Sequence, residues 1–169
     1  MADVQTASLY EQDFYLWALD QVRAVRALRD AAAGRGDLNT ALSAIDWDNV
    51  IEELEGLAKR DRRELQSRIN VIVEHLIKLE ISTATRPRTG WENTVRRERG
   101  ELDLLLQQSP SLRREVADFL GSPSAAKRAS QTIDGIARQG EARSPAGPRL
   151  FTESQILDDW WPNRPEPSP

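Results

Sequence analysis

Five carboxylates, Asp46, Asp48, Glu52, Glu53 and Glu55, fall in the run Ala44 to Leu57, which carries no positive charge. Such a cluster could ligate a metal or act as paired acid and base if imidazoles or further ligands stood beside it. The single histidine, His75, directly follows Glu74. A carboxylate-bridged metal site in a bundle uses Glu-x-x-His, and adjacent helical positions point about 100° apart, so Glu74 and His75 cannot chelate one ion in that way. Cysteine is absent, which removes thiolate ligands and the thiol nucleophile. There is no Gly-rich phosphate loop with Gly-Lys and no Gly-x-Ser-x-Gly elbow. No metal or cofactor is expected, and no catalytic residue is assigned.

Two weaker constellations remain. Glu53, Asp61, His75, Lys78 and Arg96 could line a polar cleft in which His75 moves protons, although a lone histidine at the margin of an apolar stripe is more often a boundary residue held by a neighbour. Arg88, Arg96, Arg97 and Arg99, close to Trp91, could form an anion-binding face, with phosphates gripped while the aromatic ring stacks. The helical period instead turns Trp91 and Val95 inward and leaves these arginines as a solvated face. A formal net charge of -4 over 169 residues also argues against a general nucleic-acid partner.

The elements that must position these residues read as helices throughout. Ser8 with Glu11, Thr89 with Glu92 and Thr152 with Gln155 have capping-box spacing, and Ser109-Pro110 and Ser122-Pro123 place a capping serine before a first-turn proline. Phe14, Trp17, Ala18, Val22, Val25 and Leu28 make one face of a first helix ending near Ala33-Gly34. Gly34 to Asp37 is a turn, with a short helical piece at Leu38 to Ala44. The carboxylate run then becomes a helix start. Asp46 is the cap, Ile45 and Val50 have hydrophobic-staple spacing, and the acidic first turns suit the positive end of the helix dipole. Trp47, Leu54, Ala58, Leu65, Ile69, Ile72, Leu76 and Leu79 continue as one stripe. They predict a long central helical region over about 47–82, with a break expected near Gly56 to Arg60. Asp61 interrupts the stripe; it is expected to reach solvent at that break, the alternative being a part-buried charge that needs an arginine partner.

Later helices are expected to turn inward Trp91, Val95, Leu102, Leu105 and Leu106, then Leu112, Val116 and Phe119, then Ala126, Ala129, Ile133 and Ile136. The fold class expected is all-α, a single-domain helical bundle of about five to six helices over 1–158. An extended Pro-rich tail over 159–169 is expected to be pinned by Trp160 and Trp161. No long apolar run suggests a signal peptide or a membrane span, so the expected location is cytoplasmic.

These motifs, in order, also carry a resemblance. Asp13 to Trp17, Asp46 to Leu57, Arg62-Arg63-Glu64-Leu65, His75 to Lys78, Trp91 to Val95, Ser109 to Leu112 and Phe151 to Pro162 together resemble the bacterial family catalogued as domain of unknown function 29. The resemblance covers almost the whole chain. It implies an all-helical fold, a family most abundant in cyanobacteria and present in proteobacteria, and no established activity. The chain departs from that pattern in a longer Ala31 to Ser43 link and in lacking the cysteine common before the last helix, so thiol chemistry is not carried over. The function expected is a small non-enzymatic macromolecular interaction module, with a protein partner or self-association. The alternatives are a small-molecule binder or enzyme built on the polar cleft around His75, and the arginine-rich face.

Overall fold

The computed structural model describes residues 9–32, 42, 45–142 and 151–162. The capping box at Ser8, the turn at Gly34 to Asp37, all but one residue of the piece from Leu38 to Ala44, the loop at 143–150 and the tail beyond Pro162 lie outside them. Among the described residues every regular element is a helix. After a helical turn at 9–12 come α1 (Phe14–Ala32), α2 (Trp47–Ile81), α3 (Arg88–Gln108), a 3-10 turn (Pro110–Leu112), α4 (Arg113–Leu120), α5 (Pro123–Arg138) and α6 (Glu153–Leu157).

The helix α2 organises the rest. Asp46 caps it, its carboxylate accepting from Asn49 N at 3.3 Å. The helix then runs 35 residues without the break expected near Gly56. A Cβ added at Gly56 would meet nothing within 4 Å, so this glycine serves no close approach. Its helix-breaking tendency, worth about 1 kcal/mol, is offset by ion pairs over the same stretch, Lys59 to Glu55 at 2.9 Å and Arg26 of α1 to Glu55. Leu65, Ile69, Ile72 and Leu76 are wholly buried and begin the main core, which Val95 and Leu102 of α3, Leu112, Val116 of α4 and Ile156 of α6 complete. The C-terminal half of α2 is thus surrounded, whereas Ile51 and Ala58 of its N-terminal half are buried outside this cluster, where α1 lies alongside. An antiparallel two-helix hairpin results, tied by Arg29 to Asp48 at 3.4 Å and by Arg26 to Glu55.

Two caps differ from expectation. Helix α3 starts at Arg88 because Pro87, with φ -80° and ψ -6°, is already helical, so Thr89 and Glu92 both lie inside the helix and form no box. Ser109 does not cap either, since its hydroxyl turns inward to partners on other helices. Ser122 and Thr152 do cap, the latter with the full reciprocal box through Gln155. The staple pair Ile45 and Val50 stays partly exposed, at 38 and 41%. No described helix is long and apolar enough to cross a membrane.

Candidate functional site

The five residues of the expected polar cleft are not brought together. Glu53 is exposed near the start of α2, Asp61 lies about 12 Å further along the axis, and His75 about 21 Å beyond that. His75 donates from Nδ1 to the Val71 carbonyl at 2.8 Å, one turn back on its own helix. Lys78 pairs with Glu74 at 2.5 Å. Arg96, on α3, bonds Asn93 at 3.2 Å and lies over the Trp161 ring, its guanidinium carbon 4.9 Å from the ring centroid. None of the five residues lines any of the four main grooves formed by the described residues. Among the described residues no group of three or more acidic, His or Cys side chains is placed to hold a metal ion.

The arginine face is corrected in the same way. Arg99 does not lie in a solvated row; its guanidinium turns in and donates to the carbonyls of Gln155 at 2.8 Å, Ile156 at 2.9 Å and Trp160 at 2.7 Å. Burial lowers its pKa from the ordinary value, against the pull of Asp159 and Asp158. Arg88 donates to the Leu79 carbonyl at 2.7 Å, closing the α2–α3 connection. Only Arg96 and Arg97 remain exposed, and Arg97 pairs with Glu98 at 2.9 Å. The physical cause is the planar fork of arginine, which satisfies carbonyls that chain ends and helix termini would otherwise leave unpaired. Trp161, 4% exposed, is held by this arrangement, with Arg99 also over its ring at 5.0 Å.

A polar junction that the sequence did not disclose joins α1, α2 and the turn after α3. Asp13 accepts from Leu16 N at 2.8 Å, as the cap of α1, and from Ser111 N at 2.6 Å and Ser111 Oγ at 3.0 Å. Ser109 Oγ accepts from Tyr15 N at 3.2 Å and donates to Asp61 at 3.4 Å. Asp61 is therefore 8% exposed inside an unbroken helix, not at a solvent-filled break, and its nearest cation, Arg60, is 4.0 Å away. Burial pushes its carboxyl above the ordinary range; Arg60 and the Ser109 hydroxyl pull back, and Glu64 adds to the rise.

A carboxyl raised in the folded state holds its proton there to a higher pH than in the unfolded chain. Its contribution therefore favours folding below the unfolded value and weakens as pH rises through the folded one. Asp61→Asn keeps a carbonyl acceptor for Ser109 and removes the buried charge. It should stabilise the protein at pH 7 by about 1 kcal/mol, which for this size raises Tm by about 2–4 °C, with the gain shrinking on acidification. Thermal melts of both proteins between neutral and mildly acidic pH check this; a lower Tm for the variant at pH 7 would show the charge to be stabilising.

The remaining feature is the hairpin. Between α1 and α2 lies a groove of about 470 Å³. Its floor is Leu19, Val22 and Ala58, with Tyr15 at one end, and its rim carries Arg23, Arg26, Lys59 and Arg62 against one carboxylate, Glu55. On the opposite side of the same hairpin, apolar residues face water. Among the described residues the large exposed hydrophobics are Tyr10, Leu28, Ile45, Val50 and Leu104, and the first four, at 51, 49, 38 and 41% exposure, flank or belong to the hairpin. Tyr10, Phe14 and Trp17 pack edge-on and stacked into an aromatic cluster at its other end, with centroids 4.8–5.6 Å apart.

Residues 9–161 match the family described as Domain of unknown function DUF29. The chain belongs to this family. The DUF29 match spans the hairpin, the Asp61 junction and the Arg99 clamp alike. No curated protein and no solved structure matches the chain. The DUF29 assignment brings no activity with it, so the function must be argued from the surface.

Proposed function

We propose that the protein is a non-enzymatic interaction module of the bacterial cytoplasm and that the α1–α2 hairpin is its recognition element. The observation that supports this reading is that Tyr10, Leu28, Ile45 and Val50, four of the five large exposed hydrophobics among the described residues, flank or belong to one two-helix projection, the fifth being Leu104 on α3. Exposed apolar patches on otherwise polar helices mark surfaces that another macromolecule covers. The lack of cysteine fits a reducing compartment. The polar-cleft alternative has less support, because its residues are spread along about 33 Å of α2 from Glu53 to His75.

The test is copurification of the tagged chain from its host, with mass spectrometry of what is bound, for the native protein and for a Leu28→Glu, Val50→Glu variant. Both positions are half in solvent, so the variant should fold as the native chain does by circular dichroism. Partners recovered by the native protein and lost from the variant are the expected result; equal recovery would place recognition elsewhere.

A further inference from the structure

We infer that a groove between α2 and α5 binds a small phosphorylated polyol, with the phosphate held between Arg63 and Arg128. Two depressions of about 260 and 250 Å³ adjoin there, sharing Asn70, Glu74 and Arg128, and neither shares a lining residue with the hairpin groove. The α2 wall runs from Arg63 to Glu74, about 16 Å along the axis, with Ser67 and Asn70 between them in one row at helical spacing. The α5 wall supplies Arg128, Gln131 and Thr132.

The two guanidiniums are unopposed. Every other lysine or arginine of α2 has a carboxylate within 4.0 Å, namely Lys59, Arg60, Arg62, Arg68 and Lys78. Arg63 has none among the described residues, and neither has Arg128. The sequence supplies the reason. Three and four residues to either side of Arg63 stand Lys59, Arg60, Gln66 and Ser67, and around Arg128 stand Ser124, Ala125, Gln131 and Thr132, so no carboxylate reaches either arginine along its own helix. The one acid in the lining, Glu74, is paired with Lys78 at 2.5 Å. Two like charges thus face one groove in a chain of net charge -4, and an anion between them turns repulsion into attraction.

Two guanidinium forks call for more acceptors than a carboxylate has. Its two oxygens fill one fork, whereas a phosphate monoester offers three terminal oxygens and close to two charges at neutral pH. Beside the arginines, Gln66 and Asn70 are half-buried, and their amides make no hydrogen bond among the described residues. An amide both donates and accepts, as a hydroxyl does, so these groups suit the hydroxyls of a sugar. No aromatic ring lines either depression, which leaves a nucleobase nothing to stack on.

Isothermal titration calorimetry with glucose 6-phosphate, inorganic phosphate and glucose tests the site, on the native chain and on Arg63→Gln, Arg128→Gln and Asn70→Ala. Both arginines are exposed, and circular dichroism verifies that each variant folds. Glucose 6-phosphate is expected to bind the native chain saturably and more tightly than phosphate, with no binding of glucose. Each arginine variant should weaken both anions about tenfold or more, and Arg128→Lys should recover only part of the loss, since an ammonium has no fork. Asn70→Ala should weaken the sugar phosphate and leave phosphate unchanged. No saturable binding of either anion overturns the inference, as does equal binding by the native chain and the arginine variants. Glucose that binds as tightly as its phosphate overturns the role of the arginines, and phosphate that binds as tightly as the sugar phosphate overturns the polyol.

Discussion

An Arg99→Ala variant should lose roughly 3 kcal/mol of stability and release the C-terminal segment from the bundle. Arg99 makes three bonds to the carbonyls of Gln155, Ile156 and Trp160 and covers the ring of Trp161. A charge-assisted bond contributes about 1.5–3 kcal/mol, and such contributions do not add fully when the segment they hold can still reach water. Against a total stability of about 5–15 kcal/mol for an ordinary domain, this is a large fraction. Urea unfolding reads the loss, and limited proteolysis should cut the variant first beyond residue 150. Arg99→Lys should recover only part of it, because one ammonium cannot span three carbonyls in the plane of the guanidinium. An unchanged urea midpoint for Arg99→Ala would mean that the C-terminal segment is held by its apolar residues, Phe151, Ile156 and Trp161, alone.

The second large effect separates the two halves of α2. Leu76→Ala removes a wholly buried side chain from the main core and should cost about 2–5 kcal/mol. Val50→Ala, on the same helix, should change stability by less than about 1 kcal/mol, because its side chain is already 41% exposed and lies outside the main core. Native-state hydrogen exchange adds the spatial pattern. Amides of 50–60 should open more readily than those of 65–80, since the main core cluster begins at Leu65 and takes in residues of α3, α4 and α5, whereas the buried Ile51 and Ala58 lie outside it. Equal protection along the whole helix would contradict the division of α2 into a thinly covered half and a core half.

Much of this architecture was legible in the residues. The stripe through Leu65, Ile69, Ile72 and Leu76 has the helical period, and all four are buried. Asp46, Ser122 and Thr152 cap the helices that they precede, because a cap is a contact within three residues and spacing alone discloses it. The unbroken course through Gly56 was not legible. A glycine lowers local propensity, but helix growth is cooperative, and Arg26 reaches Glu55 from a different helix.

The misread polar residues share one cause. Ser109 meets Asp61 48 positions away, and Arg99 meets carbonyls 56–61 positions away. Backbone carbonyls carry no sequence signature, so an arginine destined for them looks like any surface arginine. Asp61 posed the question correctly, as a charge in an apolar stripe, but its answer lay in a hydroxyl from another segment. The candidate groove was similarly hidden, because Leu19, Val22 and Ala58 become its floor only when α1 lies antiparallel to α2.

The continuity of α2 has a mechanical meaning. At about 1.5 Å per residue its 35 residues form a rod about 52 Å long, with one end in the hairpin and the other locked among α3, α4 and α5. A tilt of about 5° at Leu65 would carry the Trp47 tip through roughly 2 Å. Without a joint in the rod, any load seated at that tip is delivered as torque to the layer of Ile69, Ile72 and Leu76.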